Sequence, residues 1–135
     1  MSLFKWTDDL SVNIKEIDRQ HKMLVDNINE LWRAMKDGEA REVIGGILKG
    51  LVDYTKVHFT YEEDLMEKHG YPGLAHQKKT HQIFVQKVSD FEEKNKQGKF
   101  MLSIEVMNYL KEWLQKHILV TDKKYTAFFN EKGVN

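Results

Sequence analysis

The 135-residue chain contains no cysteine. That absence excludes disulfides, thiolate-held iron–sulfur clusters, cysteine-type zinc sites and covalent c-type haem, so any metal must be held through nitrogen and oxygen. Proline occurs once, at Pro72, so little interrupts helix formation. An excess of one charge is also missing: 21 Lys+Arg balance 21 Asp+Glu, which leaves no broad basic field for nucleic acid. No apolar window approaches the ~20 residues of a membrane span. The stretch from Met1 to Asp9 lacks a basic segment followed by an apolar run. These absences predict a cytoplasmic protein that binds neither nucleic acid nor membrane, and they indicate no particular protein partner. One domain, residues 1–135, suffices at this length.

What the chain does have is four apolar stripes at helical spacing, each interrupted on its inward seam by a polar residue. The first runs Ile17, His21, Leu24, Ile28, Leu31 and Met35. The second runs Ile44, Leu48, Leu51, Thr55, His58, Glu62 and Leu65; the third Leu74, Gln77, His81, Phe84, Val88 and Phe91; the fourth Met107, Leu110, Leu114 and His117. Steps alternating by three and four, with short connections, predict an all-α, up-down-up-down antiparallel four-helix bundle. An N-terminal arm carrying Phe4, Trp6, Val12 and Ile14 precedes it, and a short helix follows. The helices should end near Asp37-Gly38, at Gly70-Tyr71-Pro72-Gly73 and near Gln97-Gly98, with the fourth starting between Met101 and Ser103. Gly45, Gly46 and Gly50 inside the second helix suggest close packing against a neighbour.

Burying so many imidazoles and carboxylates without partners would cost several kcal/mol each, so a cation is expected among them. His58 and Glu62 lie one turn apart on one face. His117 and Asp122 are five apart, on different faces of a regular helix. A break in which Thr121 caps a new turn through Asp122, Tyr125 and Phe128 would bring the carboxylate inward. The candidate metal ligands are therefore His21, His58, Glu62, Gln77, His81, His117 and Asp122, too many for one tetrahedral ion. Imidazole with carboxylate suits Fe, Mn, Zn or Cu, carboxylates can bridge two ions, and two irons fit best. His69 should be exposed near a helix end, and His76 falls between seam positions. Met66, Trp32, Phe84 and Trp113 read as core. No Glu-x-x-His pair of the ferritin-like di-iron kind occurs.

Phe4-Lys-Trp6 with Ile17-Asp18-Arg-Gln20-His21, His58-Phe59-Thr-Tyr-Glu62-Glu63, Gly70-Tyr71-Pro72 before His81, and Trp113-Leu114-Gln-Lys-His117-Ile118 before Asp122 and Tyr125 form a specific set. In these motifs, over nearly its whole length, the chain resembles the hemerythrin family, the single-domain bacterial members in particular. The resemblance implies a non-haem di-iron centre with a bridging oxo or hydroxo group. It implies one iron on His21 and His58, another on third-helix histidines and His117, with Glu62 and Asp122 bridging. It further implies reversible binding of dioxygen, for carriage, storage, delivery or sensing, and no enzyme activity.

One ligand departs from the pattern. The family shows His-x-x-x-His on the third helix, whereas here Gln77 stands four before His81 and His76 five before. An offset of five rotates His76 away from the metal-facing direction, so Gln77 is predicted at the ligand position, offering a weak amide oxygen or leaving the site to water; a local helix irregularity that brings His76 inward is the less favoured alternative. An open position there would favour oxidase or peroxidase chemistry instead. Leu24, Ile28, Leu114 and Ile118 are expected to line a dry pocket, and Thr55 is a candidate to orient ligands.

Overall fold

The computed structural model describes residues 5–98 and 102–135, excepting the side chains of residues 9, 118–123 and 126. Phe4 and the side chains of Ile118, Thr121 and Asp122 therefore lie outside the described residues. After a 3-10 turn at Asp8–Leu10 come α1 (Lys15–Lys36), α2 (Ala40–His69), α3 (Leu74–Lys96) and α4 (Leu102–Trp113). A π-helical segment, Leu114–Thr121, a 3-10 turn, Asp122–Tyr125, and the short α5 (Thr126–Glu131) follow. Helices α1 and α2, α2 and α3, α3 and α4, and α4 and α1 pack as neighbours, closing an antiparallel four-helix bundle. Among the described residues, no helix is long and apolar enough to cross a membrane.

The predicted stops lie where the chemistry puts them. At the end of α2, Gly70 takes φ +67°, and the Tyr71 N–H reaches back to the Met66 carbonyl at 2.9 Å. Only glycine enters that left-handed region without strain, so the helix closes there and Pro72 cannot extend it. The glycines within α2 divide. A Cβ on Gly50 would meet Asn27 at 3.4 Å and one on Gly45 would meet Asn95 at 3.5 Å, whereas Gly46 faces open space.

Two seam assignments shift by one residue. Ala34 and Met66 are fully buried where Met35 and Leu65 are only half-buried. A straight α-helix drifts relative to a strict alternation of threes and fours, so the inward face has moved by the end of a long helix. The fourth helix departs more. A new turn does begin after Thr121, but α geometry has already given way at Leu114, three residues before His117. A π-helix bonds i to i+5, so the departure from α geometry is a widened turn through His117 and not only a break after it.

Among the described residues, buried apolar side chains form two clusters of unequal size. The larger holds, among others, Leu24, Ile28, Leu51, Phe84, Leu110 and Leu114. The smaller consists of Val12, Ile14 and Ile17, of Met66, and of Tyr125 and Phe129. Along every helix the polar seam residues fall between the two. His21 lies between Ile17 and Leu24, His58 and Glu62 between Tyr54 and Met66, Gln77 and His81 before Phe84, and His117 between Leu114 and Tyr125. The arm is tied to α1 by Asp18, which accepts from the Ser11 hydroxyl at 2.5 Å and the Val12 N–H at 2.8 Å.

Candidate metal centre

The layer between the two apolar clusters brings together His21, His58, Glu62, Gln77, His81 and His117, all buried. His21, His58 and Glu62 form one group able to hold a metal ion, and Glu62, His81 and His117 a second, with donor atoms within 4.8 Å of one another in each. Glu62 belongs to both. Its Oε1 lies 3.1 Å from His58 Nε2 and 3.3 Å from His81 Nε2, and His21 Nε2 lies 3.0 Å from His58 Nε2. The other carboxylate oxygen, Oε2, accepts from the Tyr125 hydroxyl.

Hydrogen bonds behind the rings decide which nitrogen faces the layer. Glu16 accepts from the Gln20 amide nitrogen at 3.1 Å, which turns Gln20 Oε1 toward His58 Nδ1, 2.7 Å away. A carboxylate can only accept, so the amide is fixed and His58 Nδ1–H must be the donor. Glu16 is itself clamped by Arg19, with Gln20 assisting, and its carboxyl is held down to about 2. His81 Nδ1–H likewise donates to Glu63 Oε2 at 2.8 Å. Both neutral imidazoles thus turn Nε2 lone pairs toward Glu62 Oε1, an arrangement of acceptors that only protons or a cation can reconcile. Where protons instead of a cation fill that space, burial would push the Glu62 carboxyl up, but the charge and hydrogen bonds of the protonated His58 and His81 rings outweigh it and hold the group well below the usual carboxylate range.

The spacing suits a metal. Donors held ~2.1 Å from one ion stand roughly 3.0 Å apart at octahedral edges and roughly 3.4 Å apart at tetrahedral ones, which brackets the separations above. Aromatic rings wall the layer: His58 stacks on Tyr54, His81 on Phe59 at 3.9 Å and 2°, and His117 on Trp113 at 3.9 Å and 15°. Gln77 is 2 % exposed and its Oε1 has no hydrogen-bond partner among the described residues, a buried acceptor in want of a cation. His76 is exposed on an unbroken α3, and His69 is half-buried with its ring 6.0 Å from that of Phe129. The Asp122 side chain lies outside the described residues. Thr55 gives its hydroxyl proton to the Val52 carbonyl of its own helix at 2.8 Å. The residues that orient the rings are instead Gln20 and Glu63, and the residue that orients the carboxylate is Tyr125. Gln20 and Glu63 sit one position off a seam, next to a ligand candidate, and that adjacency is the signal that would have found them.

The family described as Hemerythrin HHE cation binding domain matches residues 12–129. A bacteriohemerythrin of Stenotrophomonas maltophilia is 36% identical over 125 residues, 93% of this chain and 80% of that protein. One of Methylococcus capsulatus is 33% identical over 93% of this chain and 95% of its own length. The crystal structure of a wild-type hemerythrin superposes with a TM-score of 0.83 at 32% identity, covering 93% of this chain and 97% of that one. Because the family match runs from the buried arm at Val12 to Phe129 in the last helix, it takes in every ligand candidate, and the chain belongs to the hemerythrin family.

Proposed function

We propose that the chain binds dioxygen reversibly at a pair of non-haem irons and is an oxygen carrier, store or sensor rather than an enzyme. His21 and His58 would hold one ion, and His81, His117 and the Gln77 amide oxygen the other. Glu62 would serve both, with Asp122 as a second shared carboxylate. The observation that carries this reading is Glu62 Oε1, which stands between imidazole nitrogens of two helices and belongs to both donor groups. Iron in these positions would supply the electrons that dioxygen takes up on binding.

The chain's own part is orientation and exclusion of water. Gln20 and Glu63 set the His58 and His81 rings, and Tyr125 fixes the rotation of the Glu62 carboxylate. Leu24, Ile28 and Leu114 cover the layer on the side of the larger cluster, and Ile17, Met66 and Phe129 cover the other. A dry surround of this kind slows water entry and loss of charged species. The test is the visible absorption of iron-loaded, anaerobically reduced protein before oxygen, after oxygen and after its removal. A band that appears and then disappears supports reversible binding. Prompt, permanent conversion to a ferric spectrum overturns it. That outcome would favour the second reading, an oxidase or peroxidase, which rests on the buried Gln77 amide standing where the family has an imidazole.

A further inference from the structure

The two imidazole pairs are backed by different chemistry. Behind His58 stands the neutral amide of Gln20, 2.7 Å from Nδ1; behind His81 stands the carboxylate of Glu63, 2.8 Å from Nδ1. Either acceptor orients a ring. A carboxylate also raises the donor strength of the opposite nitrogen, while an amide adds little beyond orientation. We propose that Glu63 is a positioning residue for the metal at His81 and His117, making His81 the stronger donor and so offsetting the amide oxygen that Gln77 offers in place of a third imidazole. Gln20 orients His58 without strengthening it, which leaves the two metal positions unequal through their backing groups. This inference rests on the two-metal reading above.

The surroundings separate the effect of charge from that of ring placement. His81 lies flat against Phe59, which restrains the ring with or without Glu63. The Glu63 side chain is 26% exposed, on the wall of a groove of about 570 Å³ between α2 and α3 that also touches Phe59, Thr60 and Gln82. Its removal therefore strands no buried charge. Glu63→Gln keeps an acceptor oxygen within reach of His81 and removes only the charge.

Metal-free protein should be titrated with Zn²⁺ by calorimetry, with bound ions counted by native mass spectrometry. The parent is expected to take two ions. In E63Q one step should weaken about 10- to 100-fold, the range found when such a backing group is changed. The other step should stay in place, the weakened step should be the one abolished by His81→Ala, and Glu63→Asp should restore it. Metal-free E63Q should melt with the parent, which separates the effect from a folding defect. If E63Q leaves both steps unchanged, or weakens both equally, the inference about Glu63 is overturned while the two-metal reading stands. A parent that binds fewer than two ions overturns both.

Discussion

Glu62 shows how much one buried side chain can be asked to do. Its Oε1 faces two imidazoles and its Oε2 is held by Tyr125. Tyr125→Phe would leave a carboxylate oxygen buried without its donor, and metal-free protein should lose about 1–3 kcal/mol in urea unfolding. Gln77→His would supply an imidazole four residues before His81 on the inward face. One ion should then bind more tightly, any oxidase turnover should fall, and the oxygenated spectrum should persist longer. Equal turnover and lifetime in parent and variant would rule out Gln77 as the source of oxidase behaviour. The ligand candidates were legible in the sequence because a histidine or glutamate on an apolar seam contradicts its surroundings in one dimension. Gln20 and Glu63 were not, since each looks like an ordinary polar residue off the seam and acts only on a ring carried by a different helix.

At the level of elements, α2 and the arm invite direct tests. Gly46 lies inside α2 with nothing within 4 Å of the point an added methyl would occupy, so Gly46→Ala should add about 1 kcal/mol of stability by helix propensity alone. Gly50→Ala should gain less, because its methyl would press on Asn27 at 3.4 Å. Asp18→Ala removes both ties between the arm and α1 and should cost about 1–2 kcal/mol. Helix ends were legible because Gly38, Gly70 and Gly98 all take left-handed φ values at the predicted stops. The π-helical segment was not. A spacing of five between His117 and Asp122 says that a regular helix fails there. It does not say whether the chain breaks after His117 or widens through it, since either change relieves the same mismatch.

The whole molecule is a polar layer held between two apolar clusters, and its response to acid and metal follows from that layering. The folded-state Glu62 carboxyl lies below its ordinary value of 4.5, so its contribution is complete above about pH 4.5 and is lost as pH falls toward the lower folded value. The urea midpoint of metal-free protein should fall steadily below that pH, and Glu62→Gln should flatten the decline. Metal acts in the opposite sense. An ion at 100 times its dissociation constant adds about 2.7 kcal/mol, which for a chain of this length raises the melting temperature by roughly 10 °C, and chelation should reverse it.

The smaller apolar cluster joins Val12, Ile14 and Ile17 to Tyr125 and Phe129, residues more than a hundred positions apart, and the Asn130 amide reaches the Asn13 carbonyl at 3.3 Å. Helical hairpins form from local contacts, whereas this closure carries the entropy of a loop nearly as long as the chain. During synthesis on a ribosome the ligand layer is therefore walled on one side long before it is lidded on the other. Because Tyr125 and Phe129 follow all four bundle helices in the chain, ions should be able to reach the histidines from an open end until that segment packs against the arm.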